Sequence, residues 1–150
     1  HGGQPADWLE ASPNAGLNQR RENVLTAALA RFGATDADAF HVLGALGGRD
    51  IAAIAGAILA ARIEKIPVVL DGLASLAAAA IIHAHDPDGV AHCVLAQVPG
   101  VAGAARAMRA MRLTHVHDLE IGEEEGLAGA IAVSLIKNLA AMHGGMVALG

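Results

Sequence analysis

The stretch "GGRDIAAIAGAILAARIEKIPVVLDGLASLAAAAIIHAH", residues 47–85, decides the fold. Two glycines lead into a helix of small residues, of the kind that packs closely on a sheet. Residues 66–72, "IPVVLDG", form a short β-branched burst closed by Asp-Gly, the pattern of a buried parallel strand. "LASLAAAAIIHAH" then reads as a second helix running into the turn "DPDG". Downstream the alternation continues. "VAHCVLAQV" is a second buried strand, "GVAGAARAMRAMR" a helix and "THVHDLEI" a third, shorter strand. "EEEGLAGAIAVSLIKNLAAMH" is a long final helix, and "GGMVALG" a frayed end. Upstream, Leu17, Val24, Ala28 and Phe32 fall at helical spacing before Gly33. Thr35 or Asp36 is placed to cap a short helix over "DADAFHVLGAL". Residues 1–16 hold turn-forming Pro and Gly and read as an irregular lead, leaving 17–150 as one domain. Strand and helix alternating from residue 48 onward predict an α/β layered fold with a mostly parallel sheet.

Composition narrows the classes. Apolar residues make up 54% of the 150 residues but aromatics only 2%, so the core is built from Ala, Leu, Ile and Val. The formal charge of −5 and the lack of a long basic run give nucleic-acid binding no support. Cys93 is the single cysteine, so no intrachain disulfide forms and a reducing cytoplasm is the simplest location. The apolar stretches are broken within fewer than the ~20 residues that a membrane helix needs, so no membrane span is expected. "HGGQPADWLEASPN" lacks the order of a signal peptide, and His1 is not a natural start, so a processed or truncated chain is expected.

In open α/β sheets, ligands bind beyond the carboxyl ends of the strands. That rule selects Asp71-Gly72, Gln97 to Gly100, and Gly122 to Gly126. Gly47-Gly48 add a helix N-terminus whose free N–H groups suit an anion. Each place also has a plainer reading. Asp71 is positioned to cap the helix that begins at Leu73, and a Gly pair is an ordinary turn between helices.

Residues 45–81 resemble the second half of the nicotinate-nucleotide–dimethylbenzimidazole phosphoribosyltransferases. That family has a Gly-Gly-x-[Asp/Glu]-Ile-Ala-x-x-x-Gly segment followed by a strand ending Leu-Asp-Gly. Gly47, Gly48, Asp50, Ile51, Ala52, Gly56, Leu70, Asp71 and Gly72 match in order. "IGEEEGLAGAIAV" is similar to its Leu-Gly-Glu-Gly-[Ser/Thr]-Gly-Ala-Ala-Leu-Ala segment through Gly122, Glu123 and Gly126. The resemblance covers about residues 17–142 and implies a three-layer Rossmann-like α/β fold, with helices flanking the sheet. It implies phosphoribosyl transfer from nicotinate mononucleotide to a benzimidazole, in the making of the cobalamin lower ligand. Glu123 takes the place of the general base. Gly47, Gly48, Asp50, Asp71, Gly72, Gly100, Gly122 and Gly126 are implied to bind substrate. No cofactor is implied. Two departures stand out. Ala96-Gln97-Val98-Pro99-Gly100 occupies the place of a Ser-Ala-Glu-x-Gly loop that helps to hold the substrate phosphate. The family's first half, with a Gly-Glu-Met-Gly-Ile-Gly-Asn-Thr segment for the nucleotide, is absent.

The chemistry suits a carboxylate in that place. An azole nitrogen attacks C1′ as its proton leaves, and a carboxylate on an apolar rim has its pKa raised toward neutrality. Acidic residues in a first helical turn also offset the macrodipole and need no other role. The remaining constellations have bland readings. His83 and His85 end a helix, His115 and His117 share a strand face by spacing, and His92 stands between. Surface histidines without a metal are the expectation. Cys93 reads as an inert core residue. Arg106, Arg109 and Arg112 form a solvated basic face. Trp8 is an anchor on the body or on a partner. The partners expected are a nucleotide, an aromatic base, and a second copy or complementing chain that covers apolar surface. Two other classes stay open, a non-catalytic assembly module and a small histidine-based metal-binding protein.

Overall fold

The computed structural model describes residues 4–9, 12–33, 38–98, 100–121 and 126–147. Helices dominate. After a 3-10 turn at Pro5–Trp8 come α1 (Ala15–Phe32), α2 (Ala39–Leu46) and α3 (Arg49–Ile63). Strand β1 (Val68–Leu70) leads to α4 (Gly72–His85) and a 3-10 turn at Pro87–Val90. Then follow β2 (Cys93–Leu95), α5 (Ala102–Ala110) and α6 (Leu127–Val147). Local signals set several ends. The Asn14 side chain accepts from Leu17 N–H at 3.1 Å and starts α1, and Gly33 closes it in the left-handed region at φ 64°. Gly72 opens α4 at φ 76°, a conformation that favours glycine. Asp38 is the cap position of α2 but makes no side-chain cap bond. Thr35 and Asp36, the expected caps, lie outside the described residues.

The sheet is small. β1 and β2 pair in parallel with Val68 opposite Cys93, Val69 opposite Val94 and Leu70 opposite Leu95. The expected third strand shrinks to a single parallel bridge between Leu95 and His115. Leu95 N–H donates to Thr114 O at 2.8 Å, Val116 N–H to Leu95 O at 2.9 Å, and His117 N–H to Ala96 O at 3.0 Å. The described chain is therefore a mostly helical α/β structure around a two-stranded parallel sheet.

The core follows the pleat. Leu70 and Leu95 face Ala55 and Ile58 of α3, Leu76, Ala79 and Ile82 of α4, and Ala104 and Ala107 of α5. Val69 faces the other way and packs with Ala96, Ala128 and Ala132, which brings the first turns of α6 onto the sheet. Beyond Ala132 the side chains of α6 are exposed, with Leu139 at 63%, Met142 at 66% and Met146 at 71%. This helix corrects two expectations. It runs unbroken through Gly144-Gly145 instead of fraying there. It is also long and apolar enough to cross a membrane by length and composition, with a mean hydropathy of 1.3 over Leu127–Met146. Lys137 and Asn138 in its middle, and the docking of its first turns on the sheet, weigh against that use.

Trp8 anchors on the body. A Cβ at Gly103 would lie 2.8 Å from Trp8 Cα, so the lead crosses α5 where only glycine admits it. Arg106 is not a purely solvated cation. Its guanidinium lies 5.5 Å from the Trp8 ring centroid, and its Nη1 is 3.5 Å from Asp7 Oδ2. One substitution therefore has opposite signs at two glycines. Gly103→Ala is expected to destabilise the chain by about 1–3 kcal/mol in urea unfolding, by displacing Trp8. Gly144→Ala, in open space within α6, is expected to stabilise by about 0.5–1 kcal/mol.

Candidate functional site

Of the three places selected by the strand-end rule, two are joined by a side-chain bond from Asp71 to Gly126 N–H, and the other bonds through Gln97 to Ile121, next to Gly122 in sequence. Asp71 directly follows β1, and its Oδ2 accepts from Gly126 N–H at 3.0 Å and from Gly129 N–H at 2.7 Å. Gly126 O accepts from Ala130 N–H at 3.0 Å, which makes Gly126 the cap position of α6. Asp71 does cap a helix, but α6 and not α4, to which its side chain makes no cap bond. The approach is close: a Cβ at Gly129 would sit 3.2 Å from Asp71 Oδ2, so the carboxylate would have to shift by a few tenths of an ångström.

Gln97 makes the second junction. Ile121 N–H donates to Gln97 Oε1 at 3.1 Å, and Gln97 Nε2 donates to Ile121 O. Both ends of the amide are used, so the side chain pairs with Ile121 as a strand backbone would. His117 makes the third. Its Nε2–H donates to Ala128 O at 3.0 Å, while its buried Nδ1 has no partner among the described residues. The sequence reading placed His117 on the surface. It is instead buried between β2 and α6, whereas His115 is exposed, so the two do not share an environment. Neither Gln97 nor His117 was singled out for such a role, and only the position of Gln97 just after a strand pointed to it.

The other candidates are more dispersed. Gly47 N–H bonds to Leu43 O at 2.9 Å, and Gly48 is the cap position of α3. Asp50 folds back so that its Oδ1 occupies the space a Cβ at Gly48 would need. No hydrogen bond or ion pair among the described residues joins this pair to the other three places. Gly100 is exposed, with open space around its Cα. Gly122, Glu123, Glu124 and Glu125 lie outside the described residues. Cys93 is half-buried, and burial pushes its thiol up to about 11 against the opposing charge of Arg62. Among the described residues no group of three or more His, Cys, Asp or Glu is placed to hold a metal ion. His83 Nδ1 meets Pro87 O at 3.2 Å, His85 Nδ1 is 3.8 Å from Asp38, and His92 Nε2–H donates to Ile58 O at 3.0 Å.

The chain has known relatives. The family profile described as "Phosphoribosyltransferase" matches residues 6–149. The chain belongs to the nicotinate-nucleotide–dimethylbenzimidazole phosphoribosyltransferase family. The enzyme of that name from Brucella anthropi is 40% identical over 149 residues, covering 97% of this chain and 43% of that protein. The one from Rhizobium johnstonii is 39% identical over 150 residues, covering 97% and 44%. The crystal structure of CobT from Thermus thermophilus superposes with a TM-score of 0.79 at 23% identity, covering 89% of this chain and 41% of that one. A second crystal structure, of the phosphoribosyltransferase from the same organism, gives 0.75 at 25% identity, covering 83% and 37%. The chain thus spans less than half the length of the phosphoribosyltransferases it matches.

Two measurements check this arrangement. Asp71→Ala frees two N–H groups at the start of α6 and is expected to cost about 1–2 kcal/mol, read as a lowered unfolding midpoint. The raised pKa of Cys93, from 9.0 to about 11, leaves about a hundredfold less thiolate at pH 8 than an ordinary cysteine has. Iodoacetamide should therefore label the folded chain far more slowly than the urea-unfolded chain, with the gap closing as the pH approaches 11.

Proposed function

We propose that the protein carrying this chain transfers the phosphoribosyl group of nicotinate mononucleotide to a benzimidazole-type base. The bond from C1′ to the nicotinate nitrogen breaks and a bond from C1′ to the azole nitrogen forms. The azole N–H proton passes to Glu123, and nicotinate leaves. The observation that carries this reading is the bracketing of the glutamate run. Ile121 and Gly126, the described residues on either side of 122–125, are held by Gln97 and Asp71. A carboxylate borne on a segment fixed at both ends, beyond the carboxyl ends of the strands, is where a base for a flat aromatic substrate belongs.

In this reading Gly122 and Gly126 let the backbone approach the base, and Gly126 at φ 94° has a conformation that side chains rarely adopt. Asp71 and Gly72 line the cleft, with Gly100 beside it. Gly47 and Gly48 hold the phosphate at the start of α3, and Asp50 accepts from a ribose hydroxyl. In the whole protein the two strands continue into a mostly parallel, three-layer Rossmann-like sheet. The part of the protein beyond this chain supplies the rest of the nucleotide site. It, or a second copy, covers the exposed apolar faces of α1 and α6, where Val24 is 62% and Leu139 63% exposed. The single cysteine fits a cytoplasmic location.

Glu123→Gln in the full-length protein is expected to lower nicotinate release with dimethylbenzimidazole by ~10²–10⁴-fold. Glu124→Gln and Glu125→Gln are expected to retain most of the rate. Equal, small losses at all three positions would reduce the run to a charged approach to α6, and the domain to a binding module.

A further inference from the structure

We propose that a groove at the amino-terminal end of the strands binds a small organic monoanion, an apolar or aromatic body bearing one carboxylate. The groove has a volume of about 600 Å³. It lies where β2 begins, at the opposite end of the sheet from Asp71 and Gln97. Val90, Met111 and Leu113 give it buried apolar walls, and the half-buried Cys93 joins them. His83, Asp88 and Arg112 supply polar groups. Apolar walls with a few charged groups suit a molecule with an apolar body and a charged head. Arg112 is the lining residue least explained by the fold. It follows α5 at φ 54°, a left-handed conformation in which glycine is the ordinary choice. The helix end does not need its side chain, because the last carbonyls are already bonded. Met111 N–H donates to Ala107 O at 3.0 Å, Arg112 N–H to Arg109 O at 3.2 Å, and Leu113 N–H to Met108 O at 3.1 Å. The Arg112 side chain is exposed and makes no ion pair among the described residues, not even with Asp88 in the same groove. A second cation stands near. Arg62, in the last turn of α3, is close enough for its charge to act on the Cys93 thiol, and it too makes no ion pair among the described residues. With histidine counted neutral, two arginines against the one carboxylate of Asp88 leave one positive charge beside the apolar walls. That balance fits a monoanion better than a dianion such as phosphate. A planar guanidinium also pairs with a carboxylate through two parallel N–H bonds.

The test uses the full-length protein with benzoate as the probe. The readout is iodoacetamide labelling of Cys93 at alkaline pH, followed by mass spectrometry of the peptide that contains it. Benzoate should protect Cys93 saturably, with half-protection at about 1 mM, as befits so small a ligand. Benzyl alcohol has the same ring and no charge, and inorganic phosphate has charge and no apolar body. Each should protect about tenfold less well. Arg112→Gly suits the backbone at φ 54° and keeps the fold, yet should weaken protection by about tenfold. Asp88→Asn should act in the opposite direction and tighten binding by about twofold, because it removes a like charge. No saturable protection in the wild type, equal protection by benzyl alcohol or by phosphate, or unchanged protection in Arg112→Gly would each overturn the proposal. The reading of Glu123 plays no part here, so every one of these outcomes leaves the proposed transfer untouched.

Discussion

The contact on which the rest of this structure depends is one carboxylate oxygen shared by two glycine amides. Asp71 ends β1, and its Oδ2 binds Gly126 and Gly129, residues 55 and 58 positions away. A negative charge at a helix N-terminus is favourable by ~0.3–1 kcal/mol at the surface and more when partly buried. Here it also decides where α6 goes. With the first turn of α6 held at the end of β1, Ala128 and Ala132 must lie on Val69 and Ala96. Small residues on both sides make that approach possible, and His117 adds a bond to Ala128 O from the neighbouring segment. The end of one strand, the turn after the next and the start of the last helix become a single unit.

The same small residues limit how much the described part can stabilise itself. Alanines supply much of the buried core. They pack backbones closely, but each removes little apolar area from water compared with a leucine or phenylalanine. The larger side chains are often outside, as with Ile63 at 78% exposed on α3 and Met146 at 71% on α6. α6 is docked only through its first turns and is apolar and exposed beyond them, and the relatives are more than twice as long as the matched region.

The order of elements from Gly47 to His85 was readable because period, breakers and length all agree there, and α3, β1 and α4 fall where those signals put them. What failed has physical causes. β2 was expected over 90–98 but covers only Cys93–Leu95, because β1 offers just three residues to pair with. The third strand is cut to one bridge as the chain leaves the ladder after His117 and turns at Glu120. Gly144-Gly145 read as a stop, yet a cost of ~1 kcal/mol per glycine does not end a helix of 21 residues. At the candidate site, the contacts that join distant segments were not legible. Asp71 was read as a cleft residue or as a cap of the helix that follows it; it caps α6 instead, a helix that local pattern could not assign to it. Gln97 and His117 carry no motif, and their roles exist only once distant segments meet.

Asp71 also bears on why three glutamates stand together before α6. The ordinary explanation for such a run is that its charges offset the helix dipole. That function is already served, since Asp71 accepts from the cap residue and from Gly129 in the first turn. No acidic residue lies in the first turn of α6 itself. The glutamates precede, in sequence, a helix start that another carboxylate already caps. The need that most often explains such a run is therefore met from elsewhere in the fold, and this supports the proposed reading of Glu123 as a base.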